Sequence, residues 1–159
     1  MNNPVKDYAV QPAHDHGARL LSEQQAHVVQ LYSDDGLLLD VLCRFMGGAM
    51  AVGDGALIVA TKAHHDGLAV RMKARGLDPS NAIAEGRFIQ LNAEDVLPRF
   101  MVNGRVDDAR FMELIGGVLT QVRNACESKD SRIAVFGELV ALLWAEGKPQ
   151  EAIRVRIME

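Results

Sequence analysis

Short β-branched runs alternate with helix-period segments along most of this chain, and few architectures accept that order. The runs are "HVVQLY" at 27–32, "ALIVAT" at 56–61, "RFIQLN" at 87–92 and "RIAVF" at 132–136, each suited to a buried strand. Between the first two, Leu37, Leu38, Val41, Leu42, Phe45, Met46 and Ala49 recur at helical spacing. Gly47 and Gly48 weaken that helix, and "GDG" turns the chain. A second helix is expected from His64 to Arg75, with Leu68, Ala69 and Met72 on one side and Gly76 as its C′ residue.

The alternation continues beyond Gly76. Asp78-Pro79 opens a short helix. Asn92 caps another from Ala93, with Asp95 in its first turn where the macrodipole favours an acid. The stretch "VNGRVDD" reads as a loop, after which Asp107 or Asp108 caps a longer helix bearing Phe111, Leu114, Ile115, Val118, Leu119 and Val122. Gly147 closes "GELVALLWAEG", and Pro149 begins the last helix. Strands alternating with helices require right-handed crossovers and a mostly parallel sheet covered on both faces. The expected fold is therefore α/β, a three-layer α/β/α sandwich.

Residues 1–24 mix Asn, Pro, Gln, His and Gly without a sustained period, and read as a flexible N-terminal tail before a domain over 25–159. His14 and His16 in that tail are not expected to hold a metal. The formal charge of -4 is spread without long single-sign blocks, which gives no electrostatic footprint for nucleic acid or an anionic membrane. No apolar run approaches the roughly 18 residues that span a bilayer, and the N-terminus lacks signal-peptide regions, so the expected location is cytoplasmic. Cys43 and Cys126 have no ligand spacing and read as reduced core thiols.

The junction "SDDGLLLD" at 33–40 opens the first helix where many α/β proteins hold phosphate. A Walker A loop needs converging glycines, a lysine and a hydroxyl. Here there is one glycine, Gly36, no lysine, and two acids, Asp34 and Asp35, at the positive helix end that a phosphate would need. The glycines of "GGAMAVGDG" follow a helix rather than a strand and fit no dinucleotide fingerprint. No nucleophile motif appears, and no cofactor or catalytic residue is expected.

Open parallel sheets place ligands beyond the carboxyl ends of their strands. The residues at or just after those ends are Tyr32, Asp35, Thr61, His64, His65, Asn92 and Glu138, and these are the candidate ligand-binding positions. Adjacent residues on a helix face different ways, so His64 and His65 cannot readily chelate one metal. Glu138 has a plainer explanation, a carboxylate favoured at the start of its own helix. Phe136 and Trp144 read as core.

Taken in order, these segments resemble the MEDS family, the methanogen/methylotroph, DcmR sensory domain. The landmarks are His27 and Tyr32 around the first run, Gly53, Gly76 and Gly86 at turns, "RFMVNGRVD", and "FGELV" followed by Leu143-Trp144 and Gly147. The resemblance covers residues 25 to 155. It implies a degenerate RecA/KaiC-like core without a functional P-loop, acting as a non-enzymatic input domain for a small organic ligand. It also implies an effector such as a histidine kinase or transcription regulator, and RecA relatives commonly assemble, which suggests a homodimer. Where the family commonly continues with Leu-Glu and a Trp-Asn pair, this chain reads "IRVRIME". The alternative readings are a protein-interaction or oligomerisation module without a ligand, and a residual nucleotide-binding protein.

Overall fold

All six residues of strand β1, Gly55–Ala60, are buried, the mark of a strand covered on both faces. The computed structural model describes residues 34–158. In it β1 is the central strand of a three-stranded parallel sheet, ordered β2-β1-β5, with β2 at Phe88–Asn92 and β5 at Ile133–Gly137. The register pairs Ile58 with Gln90 on one side and with Phe136 on the other. The run at 27–32 lies outside the described residues.

Side chains alternate across a strand, and β1 divides its own between two cores. Ala56, Ile58 and Ala60 meet α1 (Asp35–Ala51), α2 (Lys62–Ala74) and α3 (Ser80–Ala84), through Leu42, Cys43, Met46, Leu68, Met72 and Ala82. Leu57 and Val59 face the opposite cluster. There they meet Val96 and Phe100 of α4 (Ala93–Phe100), Phe111 of α5 (Asp108–Ala125), Leu139 and Leu143 of α6 (Leu139–Ala145) and Val155 of α7 (Pro149–Met158). Helices on both faces of a parallel sheet make the α/β/α sandwich that the alternation requires. Phe100 and Phe111 meet edge to face with centroids 5.1 Å apart, tying α4 to α5.

Capping follows local chemistry. Asp34, Thr61, Asn92 and Asp107 each accept a backbone N–H of the first turn they precede. Gly76 and Gly147 take φ of +69° and +73° just past α2 and α6, a conformation that costs glycine little.

Three expectations are corrected. The stretch 101–106 forms a two-stranded antiparallel hairpin, β3 (Met101–Val102) and β4 (Arg105–Val106), turned by Asn103-Gly104 with both φ positive. Helix α1 runs through Gly47-Gly48 to Ala51, as the apolar spacing out to Ala49 requires, with Gly47 lying against Leu77. Trp144 is 62% exposed, since Leu139 and Leu143 take the inward face of α6 and Trp144 is turned away from it. Cys43 is buried, whereas Cys126 at the end of α5 is half-buried, its Sγ donating to the Val122 carbonyl.

Candidate functional site

Strands β1 and β5 are neighbours, yet the helices that follow them leave in opposite directions. Helix α2 packs on the sheet face bearing Ile58, and α6 packs on the face bearing Val59. Adjacent parallel strands whose connections diverge leave a crevice at their carboxyl ends, the place where open α/β sheets bind ligands. Three candidate residues stand at this divergence: Thr61 and His64 after β1, and Glu138 after β5.

The backbone brings them together first. Glu138 N–H donates to the Val59 carbonyl at 2.9 Å, one residue beyond the Val59–Gly137 pair of the ladder. The Glu138 side chain then turns across the crevice. Its Oε2 accepts the Thr61 N–H at 2.7 Å, and its Oε1 is hydrogen-bonded to His64 Nδ1. It makes no cap bond to α6, the helix it precedes. The plainer explanation of this acid, service to its own helix, therefore gives way to a carboxylate serving the N-terminus of α2. At 9% exposure Glu138 is also the buried charged residue among those described.

A buried carboxylate persists when its oxygens are hydrogen-bonded, and Glu138 has a partner for each. An ionised carboxylate can only accept, so Nδ1 donates to Glu138 Oε1. Nε2 faces Asp35 Oδ1 at 3.6 Å across the mouth of the crevice, and the Asp35 side chain is 85% exposed. Thr61 completes the frame as the cap of α2, its Oγ1 accepting the His64 N–H at 3.4 Å. Four of the seven candidates, Asp35, Thr61, His64 and Glu138, thus form one constellation.

The other three stand apart. His65 leans toward β2, its Nε2 donating to the Leu91 carbonyl at 2.9 Å, while its buried Nδ1 has no hydrogen-bond partner. The two histidines straddle β1, as neighbours about 100° apart on a helix must. Asn92 is spent on capping α4, where it accepts the Glu94 N–H at 2.9 Å. Tyr32 lies outside the described residues, as do His14 and His16. Among the described residues no group of three or more His, Cys, Asp or Glu side chains could hold a metal ion. No described helix is long and apolar enough to cross a membrane.

Two open hollows occur elsewhere. One is lined by Met72, Leu77 and Pro79, the other by Arg105, Lys148 and Glu151, and neither includes a candidate residue. At the junction before α1, Asp34 Oδ1 accepts the Leu37 N–H at 3.1 Å, so the helix supplies its own anion there.

Comparison with known proteins adds one finding: a family model described as MEDS, the MEthanogen/methylotroph, DcmR Sensory domain, matches residues 26–155. No curated protein and no solved structure matches the chain.

Proposed function

This chain belongs to the MEDS family of sensory domains, and from that membership we propose that it binds a small organic molecule at the His64–Glu138 crevice and passes the change to an effector. The observation that carries this reading is the Glu138 carboxylate, which ties the turn after β1 to the turn after β5 through Thr61 N–H and His64 Nδ1. A ligand touching Nε2 pulls on that carboxylate and therefore on α6. A ligand shifts such an arrangement only by binding one conformation better than the other.

The role is binding rather than turnover. His64 directs its remaining nitrogen at a carboxylate, not at a hydroxyl or thiol that it could activate. The effector is a histidine kinase or transcription regulator, in the same chain or as a partner, and no direct contact with nucleic acid is needed. The compartment is the cytoplasm. Descent from a RecA-like core is supported by the parallel sheet and by a first helix capped by Asp34 where a phosphate loop would lie.

A thermal-shift screen of the chain against small organic compounds and nucleotides tests the reading, because a ligand of the folded state raises the melting point by mass action. The shift should disappear in His64→Ala and shrink in Glu138→Gln. A shift that survives both would move the site elsewhere, and a shift with ATP and magnesium would restore the nucleotide-binding alternative.

A second reading, an interaction or homodimerisation module, is favoured by one feature of α1. Leu37 and Phe45 are exposed two turns apart along it, and exposed Val52 follows at its C-cap. Analytical ultracentrifugation of Phe45→Lys against the unaltered chain tests it.

A further inference from the structure

The His64 ring stands where α1, α2 and the turn after β5 meet, with one contact made and one unmade. Nδ1 is bonded to Glu138 Oε1 just past β5. Nε2 faces Asp35 Oδ1 in the first turn of α1 at 3.6 Å, too long for a hydrogen bond and within the reach of an ion pair. Asp35 can only accept, so the contact forms when Nε2 carries a proton. Nδ1 is already committed to Glu138, and a proton on Nε2 as well makes the ring a cation.

The other charged groups at this junction have partners of their own. Lys62 is bonded to Asp66. Arg71 is bonded to Asp40 at 3.1 Å and reaches the Gly36 carbonyl at 3.4 Å, and Arg75 also meets Asp40, so two guanidiniums hold α1 to α2. Asp34 caps α1 through the Leu37 N–H, and His65 is turned to the Leu91 carbonyl on the β2 side. Among the described residues Asp35 has no basic partner other than the His64 ring.

We infer that His64 is a proton-operated clasp, whose second ring proton draws Asp35 onto Nε2 and so ties the first turn of α1 to Glu138 through one side chain. The inference needs no ligand in the crevice and stands apart from the binding reading above. A charged ring is bonded on both sides, a neutral one only at Glu138. Histidine ordinarily changes charge between about pH 5 and 8, so the clasp answers to mild acid. The contact exists only with the proton on: it is present at the acid end and lost as pH rises.

The test is an NMR titration of the full chain from about pH 8 to about pH 5. The His64 Cε1–H signal reports the ring, and the amides of Gly36, Leu37 and Leu38 report the first turn of α1. Those amides should shift along the same curve as the ring. In Asp35→Asn the ring should still titrate while the amide displacements largely disappear. Asp35 is exposed, so this variant keeps the fold. The melting-temperature gap between the chain and Asp35→Asn should also widen toward acid by about 1–3 °C, the worth of one exposed ion pair. A ring that does not titrate, amides that ignore it, or amides that follow it equally in Asp35→Asn would each overturn the clasp. So would an amide curve that survives in His64→Gln, which would assign the response to another group.

Discussion

Glu138 accepts the backbone N–H of Thr61 at 2.7 Å across a separation of 77 positions, closing the carboxyl edge of the sheet with one side chain. Removing that carboxylate strands two donors at once, Thr61 N–H and His64 Nδ1. Glu138→Ala should cost about 1–3 kcal/mol, the penalty for buried donors left unpaired. Glu138→Gln, which keeps an acceptor for one of them, should lose less. Urea midpoints at unchanged slope would measure both, and equal losses would mean that the second bond contributes nothing.

Thr61 has two roles that a single substitution separates. Thr61→Val keeps the shape and the backbone N–H that Glu138 holds, but removes the hydroxyl that caps α2. A loss of about 1 kcal/mol is expected, with the His64 ring signals in the NMR spectrum little changed. Displaced ring signals would show that the cap and the ring are one unit.

Acid should weaken the pair joining α5 to α7. The Arg154 guanidinium donates to both oxygens of Asp108, at 2.6 and 2.8 Å, and this hydrogen bonding holds the Asp108 carboxyl below its ordinary value of 3.8. A carboxyl depressed in the folded state contributes fully above its unfolded value, and the contribution fades as pH falls through the folded one. The chain and Asp108→Asn should therefore differ in melting temperature at neutral pH and converge below the ordinary aspartate value. The difference should also shrink in high salt, since both groups are exposed. A gap that persists at acid pH would assign it to something other than ionisation.

Two glycines should respond to alanine in opposite directions. A Cβ at Gly48, inside α1, would meet nothing within 4 Å, so Gly48→Ala should stabilise the fold by roughly 0.5–1 kcal/mol through helix propensity alone. At Gly55, the first residue of β1, a Cβ would fall 2.5 Å from Val122 Cγ1 and 3.2 Å from Cys126 Sγ. Val122 is buried and stiff at χ1, so Gly55→Ala should cost about 1–3 kcal/mol by overpacking. Paired denaturation curves would settle both signs.

Much of this fold is legible in the sequence because its signals are local. Strands β1, β2 and β5 fall within one residue of the apolar runs, and Asn92 and Asp107 cap the helices their chemistry suits. The hairpin at 101–106 is less legible, since two-residue strands cannot display a period, although Asn103-Gly104 is a turn signal in its own right. Counting apolar neighbours misplaces Trp144, because burial on α6 is decided by helix face. Glu138 is the instructive case. Its local context explains a carboxylate at a helix start, while its partners come from a distant strand end that only the sheet order brings near. The strand ends therefore pick out the right positions without revealing which of them meet.

Trp144, the single tryptophan of the chain, has consequences for optical spectroscopy. Its indole lies largely in water six positions beyond Glu138, so emission from the native state should already be red-shifted and should change little when the molecule unfolds. The same residue is a built-in fluorophore on the helix that follows the crevice. Quenching by iodide or acrylamide should sense a covering partner or a moving α6 without any attached dye.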